Sequence, residues 1–113
     1  MTREVHVGAA QLGPIARDES RVAVVERLIA LLREGASRGC DLVVFPELAL
    51  TTFFPRWWTD DPAGHDRFYE REMPSAESRP LFDEARALGV GFCLGYAEMT
   101  ADGHRYNLSL IHI

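Results

Sequence analysis

Residues 42–45 read Leu-Val-Val-Phe, an uninterrupted apolar run, and Pro46-Glu47 follows at once. No other stretch constrains the fold as tightly. A short run of branched and aromatic residues without polar alternation fits a strand buried on both faces, as in a parallel sheet with helices packed above and below. Pro46 has no N–H to give to a ladder, so pairing should end there. Glu47 then emerges at the carboxyl end of the strand, the place where open α/β sheets bind ligands. Two readings of that carboxylate stand at this point: a functional acid or base, or a solvated glutamate at a strand edge.

The flanking sequence builds an α/β unit around this strand. Val5 to Gln11 is β-rich and ends in Gly13-Pro14, a strand followed by a turn. Between Asp18 and Arg38, Val22, Val25, Ile29, Leu32 and Ala36 recur at threes and fours, which predicts an amphipathic helix. Asp18 or Ser20 can cap its start, and Gly39 can take the left-handed position past its end. Gly35 should cost about 1 kcal/mol relative to alanine and loosen the last turn. Strand, helix and strand in this order predict a βαβ crossover with parallel strands.

From Leu48 to Ser78 the periodicity fails. Pro55, Pro62 and Pro74 interrupt it, and Phe53, Phe54, Trp57, Trp58, Phe68 and Tyr69 crowd in. A segment this long is either functional or carries short helices of its own. Its aromatics read mainly as a hydrophobic plug over the sheet, with a pocket wall as the alternative. Pro80 to Leu88 predicts a second helix closed by Gly89, and Val90 to Ala97 a third strand. Asp102-Gly103 is a hairpin signal, so Arg105 should start a fourth strand antiparallel to the third.

Composition narrows the function classes. A net charge of −5 argues against sequence-independent nucleic-acid binding, which needs clustered cations. No apolar stretch approaches the roughly 20 residues that span a bilayer, and Met1-Thr2-Arg3-Glu4 lacks an apolar signal core, so no membrane partner and a cytoplasmic location are expected. Cys40 and Cys93 lie too far apart in sequence to suggest paired ligands, and are expected to be small buried hydrophobes. His6, His65, His104 and His112 lack the spacing that brings two imidazoles onto one metal. Neither a metal nor another cofactor is expected. All 12 basic residues are arginines, and the chain has no lysine.

The stretch from Phe45 to Trp57, Phe-Pro-Glu-Leu-Ala-Leu-Thr-Thr-Phe-Phe-Pro-Arg-Trp, resembles the first catalytic segment of the carbon–nitrogen hydrolase (nitrilase) superfamily. Within it the nearest likeness is to N-carbamoyl-D-amino-acid amidohydrolases. Gln11 to Arg17, Ala36 to Gly39, Arg79 to Phe82, Leu88 to Phe92 and Leu94 to Glu98 match in the same order, so the resemblance covers nearly the whole chain. Phe-Pro-Glu alone is weak; the run through Trp57 with ordered flanks is specific.

The resemblance implies an α/β fold, the N-terminal and incomplete part of an α-β-β-α nitrilase-type sandwich occupying residues 1–113. It implies hydrolysis of a carbamoyl or amide C–N bond through a Glu, Lys and Cys set in which cysteine is the nucleophile. Glu47 takes the glutamate position, the general base. Its neighbours in sequence are apolar, which predicts a desolvated carboxylate. Phe53 resembles an aromatic that lines the substrate pocket. Glu98 resembles a recurrent family position, with a polar strand-end residue as the equal alternative. The lysine, the nucleophilic cysteine and the arginines that read a substrate carboxylate belong to segments past residue 113, and neither Cys40 nor Cys93 lies in a nucleophile motif. The implied partners are a small N-carbamoyl amino acid and further copies of the full-length chain in a homo-oligomer. The fragment alone should be inactive. Another amidase of the superfamily, or a non-catalytic α/β interaction module, remain the alternatives.

Leu108 to Ile113 stand apart. After Tyr106-Asn107 the resembling strand should continue with a small hydroxyl residue and an apolar run into Asp and Gly, whereas this chain reads Leu-Ser-Leu-Ile-His-Ile. CTG TCT CTT ATA CAC ATC, a transposon end used in preparing sequencing libraries, encodes those residues, and an adaptor-derived tail is therefore expected for 108–113. Resequencing the source DNA across codon 107 by an adaptor-free method checks this. The expected outcome is a different continuation; the same codons in genomic context would make the tail native.

Overall fold

A computed structural model describes residues 2–113. Ser20 opens the first helix, α1 (Arg21–Ser37), by accepting the Ala23 amide on its hydroxyl at 3.1 Å. Of the two candidate caps it is the one used, and it satisfies an amide that the first turn leaves without an intrahelical partner. Gly39 ends the region with φ +82°, as its position predicts. Gly35 has a role that propensity does not show: a Cβ built there would lie 2.6 Å from Val43 Cγ2. The residue that weakens the helix is also the one that lets it approach the sheet.

The strands are β1 (Val7–Ala9), β2 (Leu42–Val44), β3 (Gly91–Met99) and β4 (Arg105–His112), with a second helix, α2 (Arg79–Leu88), before β3. They form one sheet in the order β1-β2-β3-β4. β1 and β2 are parallel, with Val7 opposite Leu42, and β2 and β3 are parallel, with Leu42 opposite Gly91. β3 and β4 are antiparallel, from Met99 opposite Arg105 to Phe92 opposite His112. The predicted parallel pair β1–β2 and the predicted hairpin are present, and β2–β3 is a further parallel pair. The strands are shifted from expectation at their ends: β1 is shorter than Val5 to Gln11, and β3 runs on to Met99 because β4 and the Glu70 backbone keep pairing with it.

Side chains alternate across the sheet, and the two faces differ. One carries Val43, Phe92, Leu94 and Tyr96, all 6 % exposed or less, packed with Val24, Val25, Leu28 and Leu32 of α1 and Leu81 and Ala85 of α2. Both helices therefore cover the same face. This corrects the expectation of helices above and below. The opposite face presents Val7, Val44 and Ile111, which are 55 %, 36 % and 56 % exposed, together with part-buried Leu42 and Cys93. The unbroken apolar run of β2 suits burial on both sides, and here only one side is filled. Cys93 is part-buried rather than buried for the same reason, and Cys40 is part-buried at the rim of the core.

The segment after β2 carries two short 3₁₀ turns, Phe54–Arg56 and Pro62–Phe68. Its aromatics form a second cluster: Phe54 stacks on Phe68 with centroids 5.1 Å apart, Tyr69 tilts against Phe54, and Leu48 and Ala97 complete the group. That is the plug expected of most of them. Arg21 of α1 fastens it, donating from Nε to Glu70 at 2.5 Å and from a terminal nitrogen to the Arg67 carbonyl at 2.8 Å. Glu70 is 7 % exposed and lies near Tyr96, whose phenol is pushed up from its usual range by burial and then by the Glu98 and Glu70 charges.

β4 includes the stretch proposed to derive from an adaptor. Leu108, Leu110 and His112 turn toward the core side while Ser109 and Ile111 turn away. An alternating apolar stretch beside a hairpin takes strand geometry whatever its origin.

An apolar sheet face open to water drives association. The 113-residue chain expressed alone should run in light-scattering chromatography above its 12.7 kDa monomer mass and melt without a sharp two-state transition. A monomeric mass with a cooperative melt at low concentration would contradict this.

Candidate functional site

The backbone after β2 fixes where Glu47 goes. Phe45 N–H still donates to the Cys93 carbonyl at 2.9 Å, and Ala49 N–H donates to the Gly95 carbonyl at 2.8 Å. Three residues, 46–48, stand between those two rungs, and Pro46 brings no donor, so the chain must hump away from the ladder and return. The hump rests on Gly95. A Cβ there would lie 2.9 Å from the Pro46 carbonyl oxygen, 3.0 Å from Glu47 Cα and 3.1 Å from Leu48 N. Only glycine permits that approach.

Leu48 closes the hump with φ +47°, the left-handed region that costs a non-glycine residue roughly 1–2 kcal/mol. Its side chain is 3 % exposed in the aromatic cluster, and Ala49 and Leu50 are buried in the main core. Burial of Leu48 in the aromatic cluster and of Ala49 and Leu50 in the main core holds the strained turn and leaves Glu47 exposed.

Glu47 itself is exposed. The burial expected from its apolar neighbours in sequence is not found: Phe45, Ala49 and Leu50 pack into the main core and Leu48 into the aromatic cluster, and none of them encloses the carboxylate. One hydrogen bond reaches it among the described residues: Asn107 Nδ2 donates to Glu47 Oε1 at 2.6 Å. A carboxylate only accepts, so the amide must present its nitrogen. Asn107 stands opposite Ala97, on the same face of the sheet as Gly95. The Glu47 side chain thus crosses the place where β3 has no side chain and meets β4 beyond it.

Phe53, the other residue singled out by sequence, is 42 % exposed and shares a cleft with Glu47, Leu12, Ile15, Thr51 and Arg56. A second cleft on the other side of Glu47 is lined by Val44, Cys93, Gly95, Asn107 and Ser109. Glu47 therefore stands between two hollows. Glu98 is not brought to it: alternation along β3 sets Glu98 with Leu94 and Tyr96, on the side away from Gly95. Gly95 and Asn107 were not singled out by sequence reasoning. Glycine inside a strand signals close backbone approach, whereas nothing local marks an asparagine whose partner lies 60 positions away.

The carbon-nitrogen hydrolase family model matches residues 6–112. The chain belongs to the carbon-nitrogen hydrolase family. It is 30% identical over 104 residues to a nitrilase of Pseudomonas syringae pv. syringae (strain B728a), covering 87% of this chain and 30% of that protein. An aliphatic nitrilase of Rhodococcus rhodochrous is also 30% identical, over 86% of this chain and 28% of its own length. The chain thus spans under a third of these relatives. Among solved structures, a carbon-nitrogen hydrolase from Helicobacter pylori G27 superposes with a TM-score of 0.71 at 21% identity, over 95% of this chain and 35% of that one. A glutamine-dependent NAD+ synthetase from Acinetobacter baumannii superposes with a TM-score of 0.63 at 20% identity, over 94% of this chain and 18% of that one. These likenesses share the fold. In each, the matched part is a minority of a longer chain.

Gly95 is the most sensitive position of the arrangement. In the full-length protein Gly95→Ala should lower stability by about 1–3 kcal/mol, the usual cost of forcing extra volume against fixed backbone. Urea unfolding measures it, and a variant as stable as the parent would contradict the close approach.

Proposed function

We propose that the full-length protein is an N-carbamoyl-D-amino-acid hydrolase, cytoplasmic and homo-oligomeric, and that Glu47 is its general base. The observation that carries this reading is the carboxylate held by Gly95 and Asn107 at the end of β2, within a segment that resembles those amidohydrolases from Phe45 to Trp57.

The chemistry follows from what a C–N bond needs at neutral pH: a strong nucleophile, a base to activate it and donors for the oxyanion. A thiol supplied by the rest of the protein would give its proton to Glu47 and attack the carbamoyl carbon. The proton then passes to the departing amine, which leaves as the amino acid. Glu47 next takes a proton from water, the hydroxide displaces the thiol, and the released carbamate breaks down to carbon dioxide and ammonia. The Glu47 oxygen not engaged by Asn107 is free for both transfers. The Phe53 cleft is the proposed place for the substrate side chain.

The names of the curated relatives favour a second reading, a nitrile substrate, with the same base and nucleophile acting on a C≡N carbon. Purified full-length protein assayed against N-carbamoyl-D-amino acids, their L forms and aliphatic nitriles separates the two. Faster turnover of the D-carbamoyl compounds is the expected result, and turnover of nitriles alone would overturn the substrate assignment. Under either substrate Glu47→Gln should lower kcat by ~10²–10⁴-fold with the melting temperature unchanged, since the amide keeps the shape but accepts no proton. A variant with near-parental kcat would remove Glu47 from the mechanism.

A further inference from the structure

We infer that Asn107 is a positioning residue for Glu47, an inference that rests on the general-base reading above. Its amide fixes one carboxylate oxygen so that the other is presented to the nucleophile. The first support is geometric. Glu47 lies on a hump whose backbone is set by Gly95, but its side chain keeps several rotatable bonds, and on an exposed face nothing else limits them. The 2.6 Å bond from Asn107 Nδ2 to Oε1 is the only polar contact that does so among the described residues.

The second support is the choice of group. An arginine or lysine at this point would neutralise the carboxylate and compete for the proton that a base must accept. A neutral amide donates one bond, leaves the charge in place and leaves Oε2 free. The titratable groups lining the two clefts beside Glu47 are Arg56 on one side and Cys93 on the other. Neither makes a hydrogen bond or an ion pair with the carboxylate among the described residues.

The third support concerns register. Asn107 reaches Glu47 only if it stands opposite Ala97, and the turn before it sets that pairing. Thr100 N–H donates to the His104 carbonyl at 2.9 Å, Gly103 N–H donates to the Thr100 carbonyl at 3.0 Å, and Gly103 takes φ +86°. Met99 then meets Arg105, and Ala97 meets Asn107. The placement is settled before Leu108, so it holds whatever sequence continues the strand. It is also independent of the covering layer: when that layer dries the open face, a bond now exposed to water becomes stronger and more selective for one side-chain orientation.

The test uses the full-length enzyme with whichever carbamoyl or nitrile compound it turns over, and compares Asn107→Ala, the isosteric Asn107→Asp and Glu47→Gln. Asn107→Ala should lose about 10²-fold in kcat with KM nearly unchanged, as expected when a reacting group is present but misaligned. Asn107→Asp should be equally poor at neutral pH, where two carboxylates face each other, and should recover activity toward acid, where one shared proton restores a donor. A purely structural role would not shift the pH optimum. If Glu47→Gln is inactive while both Asn107 variants keep parental kcat and pH profile, or if both lose activity at every pH with a lowered melting temperature, the positioning role is wrong. If Glu47→Gln is itself active, the failure belongs to the general-base reading. Should Asn107→Ala fail to fold, Asn107→Asp decides alone.

Discussion

The backbone of residues 46–48 lies against Gly95 more closely than any side chain would permit, and the site is built outward from that contact. Two ladder bonds, Phe45 to Cys93 and Ala49 to Gly95, hold the ends of the hump, and buried Leu48 and Ala49 pull its far side into the core. The left-handed Leu48 shows that the turn is imposed by its surroundings. A carboxylate on such a turn has a well-defined origin, which a residue in a mobile loop would not have, and one further bond from Asn107 suffices to define its direction.

The same sheet explains why the site is half built. Its helix face is closed by α1 and α2, with Leu28, Leu32, Leu81, Phe92 and Leu94 fully buried. Its other face carries Glu47 beside exposed Val7, Val44 and Ile111. A carboxylate among uncovered apolar residues fits a face that another layer would dry, and the chain spans under a third of its curated relatives. Family membership and one-sided packing agree: the sheet is closed by helices on one face only, and the Glu47 carboxylate lies on the other.

Much of this was legible in local sequence. The apolar run into Pro46-Glu47, the glycines at 39 and 89 that end the helical regions, and the Asp102-Gly103 turn each state a backbone requirement within a few residues. The aromatic plug was legible too, since large apolar side chains pack. What escaped was non-local. An apolar strand does not say whether helices or a second sheet will cover its second face, so the run alone suggested helices on both, whereas the α-β-β-α resemblance implied helices on one. Gly35 looked like a weakness because propensity scales contain no neighbour, and its neighbour is Val43 on another element. Asn107 carries no signal of its own until the hairpin brings it beside Glu47.

The central claim is that this layer presents Glu47 to a thiol supplied by the rest of the protein. An experimental structure of the full-length protein tests it most directly, by the distance from the Glu47 carboxylate to the nearest cysteine sulfur. The account predicts a thiol within or close to hydrogen-bond reach, about 3–4 Å, of the oxygen that Asn107 leaves free, under a layer covering Val7, Val44 and Ile111. A Glu47 that faces solvent there, or one buried with no cysteine beside it, would contradict the account.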